Sequence, residues 1–239
     1  MMTQGAAKLI AGSLGFPSKM PGTSYGLPAT ACVAGAKLAQ IKGSVCSMCY
    51  ALRGKASYQQ PRATIGMKRR LASIGHPLWV AAMVSMLLWQ HGKDRIKVDL
   101  GIVGVRRQRK GGSRYQWNEP GFHRWHDSGD LQSVDHLAAI CAVASCTPRI
   151  KHWLPTQELG MVAEFLERGG MVPSNLVIRV SSVMMDDRKR RAWPLTSSVF
   201  IGEPKIEGHV CPAPKQDHRC GSCRACWSPK VPHVSYAAH

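Results

Sequence analysis

Apolar positions along the chain fall into two rhythms. Between Arg62 and Gln90 they recur at three- and four-residue steps: Met67, Leu71 and Ile74, then Leu78, Val80, Ala81, Val84, Leu87 and Leu88. That period predicts helix, interrupted at His76-Pro77, where proline removes a backbone donor. Beyond residue 120, short apolar runs alternate with helical ones. Phe122–His126 predicts a strand, DSGD its exit loop, and Leu131–Ser145 a helix with Leu137, Ile140, Cys141 and Ala144 on its apolar side. Ile150–Leu154 predicts the next strand, left through Pro155, Thr156 and Gln157 into a helix over Glu158–Arg168 that Gly169-Gly170 stops. Leu176–Val180 and Ser198–Ile201 predict two further strands. Upstream, the turn-rich stretch Lys19–Ala31 has Tyr25 and Leu27 as its bulky apolar anchors and suits a short strand running into a loop.

Short strands alternating with helices of about 10 to 15 residues imply βα units and a parallel sheet, here a (β/α) barrel or partial barrel of TIM type. Residues 1–205 are expected to form this barrel-like domain. Residues 206–239 lose hydrophobic period and carry four cysteines, so they are expected to be a metal-organised segment packed on the same domain. In such a barrel, function belongs at the C-terminal strand ends. Polar residues recur there: His126, Asp127, Ser128 and Asp130; Thr156 and Gln157; Ser181 and Ser182. Asp130, directly before Leu131, reads as a helix N-cap. His126 and Asp127 have no comparable local role and form the candidate catalytic pair. His126 could ligate a metal, hydrogen-bond a cluster sulfide, act as acid and base near neutral pH, or be a satisfied core histidine.

The nine cysteines carry the chemistry. In a chain without a recognisable secretory leader, clustered cysteines bind metal or do redox chemistry more often than they form disulfides. Cys220, Cys223 and Cys226 lie at two successive two-residue gaps, preceded by Cys211-Pro212. A C-x2-C-x2-C run with a remote Cys-Pro is a known way to hold an iron–sulfur cubane. Structural zinc is the alternative, since four thiolates suit it equally, although zinc sites more often use two separated C-x2-C pairs. Cys32, Cys46 and Cys49 form a second group. Three ligands would leave a coordination position open to substrate, water or a distant side chain, and the cluster would be 4Fe–4S or 3Fe–4S. Three buried thiols is the bland alternative. Cys141 and Cys146, five apart on poorly matched helical faces, are expected to be buried thiols outside both groups.

The order CSMCYALRG, RWHDSGDLQS, HWLPTQEL and CPAPKQDHRCGSCRACW resembles the phage-encoded gene product 88-like proteins, from about Tyr25 to Trp227. The resemblance implies a phage origin and a shared cysteine framework, but no defined activity. A looser likeness is to the partial barrels of radical S-adenosylmethionine enzymes. Thirteen residues separate Cys32 from Cys46, in place of their C-x3-C-x2-C motif, and no GGE-like segment follows the first helix. These departures count against S-adenosylmethionine as a cofactor.

Charge changes the picture once more. The 239 residues carry a formal net charge of +18. Arg106, Arg107, Arg109, Lys110 and Arg114 form one basic stretch and Arg188, Lys189, Arg190 and Arg191 another. Phosphate contacts from such stretches would give sequence-independent, salt-sensitive nucleic-acid binding. The alternatives are a solvated surface, or compensation of anionic clusters, which carry too little charge to balance +18. No uncharged apolar run reaches the roughly 18 residues that span a bilayer, and the first residues lack a long apolar core and cleavage site. The expected setting is therefore the cytoplasm of the phage-infected host, without membrane. The leading expectation is redox or radical-type chemistry on a small molecule or a nucleic acid, with an electron-donor protein as partner. The rival is a basic nucleic-acid-binding protein whose zinc or iron–sulfur sites are structural and which catalyses nothing.

Overall fold

The computed structural model describes residues 1–53, 57–99 and 119–238. Its elements, in chain order, are α1 (Gln4–Ala11), β1 (Thr23–Tyr25), α2 (Val33–Leu38), α3 (Pro61–Ser73), α4 (Trp79–Asp99), β2 (Phe122–Trp125), α5 (Val134–Cys146), β3 (Lys151–Thr156), α6 (Leu159–Glu167), β4 (Leu176–Ser181), β5 (Thr196–Phe200), β6 (His209–Val210) and β7 (His233–Ala237). The helices begin where local chemistry supplies acceptors for their free N–H groups. Thr3 accepts from the Ala6 N–H ahead of α1, and Ser133 from the His136 N–H ahead of α5. Pro61 sits in the first turn of α3, where its missing donor costs nothing. The expected break falls between α3 and α4. Ser133, not Asp130, is the cap of α5, because the chain stays extended for three residues beyond Asp130 before turning helical.

All seven strands run parallel, in the spatial order β1-β2-β3-β4-β5-β7-β6. Register ties Thr23 to His123, Phe122 to Lys151, His152 to Leu176 and Val180 to Thr196. Residues 209–210 and 233–237 supply strands to this same sheet, with β7 inserted between β5 and β6. Strand pairing therefore fixes two pieces of the last segment, while the four cysteines lie in the irregular run between and beside them. The HVSYA pentapeptide is too short to show an alternation against the cysteine-rich run before it.

Side chains alternate across each strand, and the two faces of the sheet have different covers. Trp125, Leu154, Leu176 and Ile178 face one core, shared with Met83 and Leu87 of α4 and Leu137 and Ile140 of α5. Phe122, Trp153 and Val177 face a second, made with Ala225, Cys226, Trp227 and Val234. Helices therefore cover one face, and the cysteine-rich segment covers the other. Cys141 is buried in α5, whereas Cys146, at that helix's last position, is exposed rather than buried. Among the described residues no helix is long and apolar enough to cross a membrane. The basic stretch from Arg106 to Arg114 lies outside the described residues. Arg188, Lys189 and Arg190 are exposed between β4 and β5, where Arg190 also donates to Thr196 and to the Pro194 and Pro232 carbonyls.

Candidate functional site

Cys32, Cys46 and Cys49 come together on a loop laid over the strand exits. Cys32 follows a 3-10 turn over Ala29–Ala31 and precedes α2, while Cys46 and Cys49 bracket a second such turn. Four hydrogen bonds fasten this loop to the sheet. Gln132 Nε2 donates to the Ala31 carbonyl (3.2 Å) and the Ala34 N–H to Glu158 Oε1 (2.6 Å), which anchors the loop beyond β2 and β3. The Val45 N–H donates to the Val183 carbonyl and the Met185 N–H to that of Gly43, both at 2.9 Å, which anchors it beyond β4. Gly35 fits between the thiols. A β-carbon there would stand 2.9 Å from Cys32 Cβ, 3.5 Å from Cys32 Sγ and 3.6 Å from Cys46 Sγ, so the two sulfurs are at most about 7 Å apart.

The surroundings of this group are acidic. Burial pushes the Cys32 thiol up to about 12, and Asp130, the other two cysteines and Glu158 push the same way. Burial likewise takes Cys46 to about 11, again with Cys49, Asp130 and Glu158 adding to the rise. Asp130, buried, accepts from Thr156 Oγ1 (2.6 Å) and from the N–H groups of Gln157 and Leu131 (both 2.8 Å). Its burial outweighs those bonds and lifts its carboxyl to about 7. Gly129 makes the DSGD turn possible: at φ +79° a β-carbon would meet Leu27 Cβ at 2.6 Å.

His126 and Asp127 share the same exit loop but point elsewhere. His126 takes a left-handed backbone (φ 53°), rare for a residue with a side chain. Its fully buried ring lies 5.4 Å from that of His136, with Nδ1 4.0 Å from Asp130 Oδ1, and neither ring nitrogen has a hydrogen-bond partner. Burial, with His136 and Arg124 adding to it, holds its pKa well below the ordinary value, so the ring is neutral. Asp127 Oδ2 accepts from Ser24 Oγ (3.0 Å), and its backbone carbonyl accepts from Tyr50 Oη (2.5 Å) next to Cys49. The carboxylates that bear on the thiols are those of Asp130 and Glu158.

Cys211, Cys220, Cys223 and Cys226 gather on the opposite face of the sheet. The Cys211 N–H donates to the Ser235 carbonyl of β7, and the Cys220 N–H to that of Lys19 ahead of β1. Cys226 Sγ is 3.0 Å from Tyr236 Oη and Cys223 Sγ is 3.2 Å from His209 Nε2. Trp227 Nε1 donates to the His123 carbonyl (2.9 Å), pinning the run to the sheet. Here the charges are positive. Burial raises Cys226 to about 12, with Cys211 and Cys220 adding to the rise while Tyr236 and Arg179 act against it. Burial takes Cys220 to about 11, with Cys211 and Cys223 adding to the rise and Arg224 and Arg124 opposing it.

Arg179 is fully buried, and it donates to four backbone carbonyls, those of Thr196, Ala225, Ser228 and Val231. Burying a guanidinium costs several kcal/mol unless an anion compensates it. Among the described residues four buried arginine or tryptophan N–H groups lack an acceptor: Arg124 Nε, Trp153 Nε1, Arg179 Nε and Arg224 Nε. All four belong to the cysteine-bearing face. Arg124 lies 4.5 Å above the Trp153 ring, and Trp153 packs 5.1 Å from Trp227. Buried donors in folded proteins are nearly always satisfied; among the described residues unpartnered ring nitrogens also occur on His123, His126 and His136. No three His, Cys, Asp or Glu side chains among the described residues converge closely enough to grip a single metal ion.

Sequence reasoning missed Asp130 and Glu158 as neighbours of the thiols, and Arg124, Arg179, Tyr236 and His209 around the second group. The arginines did leave a signal, a cation inside the apolar strands FHRW and LVIRV. No curated protein and no solved structure matches the chain. A family profile described as Gene product 88 matches residues 1–229, and with its cysteine motifs inside that span the chain belongs to the Gene product 88 family.

Proposed function

We propose that this is an iron–sulfur protein with two cysteine sites on a (β/α) barrel-like scaffold, working in the cytoplasm of a phage-infected host. The observation that carries the reading is the set of four orphaned N–H donors and the carboxylate-free Arg179 around Cys211, Cys220, Cys223 and Cys226. An iron–sulfur cluster supplies electron transfer and presents sulfide and thiolate acceptors to such donors. Around the second group Tyr236, His209 and the arginines would stabilise the bound anion. Around the first, Cys32, Cys46 and Cys49 supply three ligands beside Asp130 and Glu158. That site would hold the cluster with an accessible position, as 4Fe–4S or 3Fe–4S, and redox or radical-type chemistry would occur there. S-adenosylmethionine is not part of the proposal.

The rival reading keeps a specific observation, the net charge of +18. It makes the protein a basic nucleic-acid binder with structural zinc and no catalysis. Anaerobic purification followed by iron, sulfide and zinc analysis separates the two. A brown protein with acid-labile sulfide is expected; a colourless protein with stoichiometric zinc would remove the redox reading, and the rival itself, whose sites are structural zinc or iron–sulfur, needs salt-sensitive nucleic-acid binding as well.

A further inference from the structure

The loop that carries Cys32, Cys46 and Cys49 is apolar and positively charged on its outer side. Val33, Ile41, Met48 and Leu52 are all exposed there, each within four residues of a thiol in the chain except Ile41, five from Cys46. A depression of about 490 Å³ opens in the same loop, with Ala39, Met48 and Met185 as apolar wall and Lys42 and Arg53 as its cations. Met184 adds a second methionine from the segment after β4, its Cε 3.5 Å from where a β-carbon on Gly43 would stand. Ser47 and Met48, the two residues between Cys46 and Cys49, line the depression, so an occupant would lie directly outside the three-cysteine site.

Charge and wall chemistry together define the occupant. The first acidic residue of the chain is Asp94, and ahead of it the charged residues are all Lys or Arg. Lys37, Lys42 and Arg53 are exposed on the loop, and Arg188, Lys189 and Arg190 on the segment that pairs with it through Val183 and Met185. That segment also holds Asp186 and Asp187, whose carboxylates accept from the N–H groups of Ile201 (2.9 Å) and Met184 (3.1 Å). Asp130 and Glu158 are buried beneath the loop. The outer surface therefore complements an anionic partner. Among the described residues the wall has no aromatic side chain on which a base could stack. Methionines adapt to a partner's side chains, and an apolar centre within a charged rim is the make-up of a protein contact. We infer that this face docks an acidic protein, its carboxylates on Lys42 and Arg53 and an apolar side chain among the methionines. Resting on the redox reading of the three-cysteine site, the inference makes that partner an acidic electron carrier, although docking itself needs no metal.

Calorimetric titration of the full chain, purified anaerobically, tests the surface at low ionic strength with three probes: an acidic 2Fe–2S ferredoxin, a basic cytochrome c, and a single-stranded oligonucleotide. The ferredoxin should saturate at one per chain and weaken steeply with added salt, while the cytochrome does not bind. Lys42→Glu should weaken ferredoxin binding about tenfold. Met48→Gln, which keeps the size and removes the thioether, should weaken it with the salt dependence unchanged. Iron analysis of the same preparations separates this inference from the cluster reading. Ferredoxin binding by a chain without iron would support the docking surface and remove the cluster, whereas full iron without binding would do the reverse. Binding indifferent to both Lys42 and Met48 would overturn the inference. So would oligonucleotide binding that Lys42→Glu weakens as much as it weakens the ferredoxin, since the surface would then belong to nucleic acid.

Discussion

The two cysteine groups sit on one sheet in opposite electrostatic settings. Cys32, Cys46 and Cys49 lie on a loop over the strand exits, faced by Asp130 and Glu158, and every neighbour that bears on Cys32 raises its pKa. Cys211, Cys220, Cys223 and Cys226 lie against the sheet's second face, where Arg179, Arg124, Arg224 and Tyr236 favour negative sulfur, although burial and the neighbouring cysteines still raise Cys220 to about 11 and Cys226 to about 12. Under the proposed cluster reading, the contrast suits different work in the two. A buried anion beneath arginines is stabilised and hard to lose, as suits an electron carrier or a brace. A three-thiol site among carboxylates holds an anion poorly, as suits a centre that exchanges a ligand.

The largest effect should come from removing a ligand on the arginine side. Cys226→Ser should lose about half of the iron, while β7, held by pairing to β5 and β6, keeps its amide protection in hydrogen exchange. Full iron retention would place Cys226 outside the cluster. Arg179→Met should next accelerate loss of that iron and lower the midpoint potential of its signal, since a neutral side chain no longer favours the more reduced cluster. An unchanged potential would reduce Arg179 to a packing residue.

On the acidic side, Gly35→Ala should empty the three-cysteine site alone, because the new methyl would stand 2.9 Å from Cys32 Cβ and crowd both sulfurs. Asp130→Asn should alter that site's electron paramagnetic resonance signal more than His126→Ala does. The reverse order would return His126 to the centre. Acid stability should be set mainly by buried histidines, with Asp130, raised to about 7, acting in the opposite sense. Burial holds His91 and His136 down to about 4 and His152 to about 3 in the folded protein, against 6.5 for a free imidazole. The unfolded chain then binds more protons below pH 6.5, so stability is lost as pH falls. Near pH 5 the slope should approach about 4 kcal/mol per pH unit for these three groups. Urea titrations at pH 7 and pH 5, repeated on Cys32→Ser, check that the loss belongs to the helix-covered core.

Much of the sheet was legible because its strands are short apolar runs between helices with clear period. What stayed hidden was non-local. β6 and β7 are two and five residues long, and only pairing, of β7 with β5 and of β6 with β7, makes them strands. The fourfold set of orphaned donors exists only once β2, β3, β4 and the segment around Arg224 are brought together. Asp130 was misread for a local reason. An aspartate just before an apolar helical pattern has the sequence of a cap, and only the extended residues up to Ser133 free its carboxylate for Thr156 and Gln157. The cysteine grouping itself needed no fold, since spacing alone divides seven of the nine into three and four.

The most direct test isolates the arginine-side site. A chain carrying Cys32→Ser, Cys46→Ser and Cys49→Ser, purified anaerobically, should retain about four iron and about four acid-labile sulfide per chain. Stoichiometric zinc without sulfide, or no metal at all with the fold intact, would contradict the claim that Cys211, Cys220, Cys223 and Cys226 hold an iron–sulfur cluster.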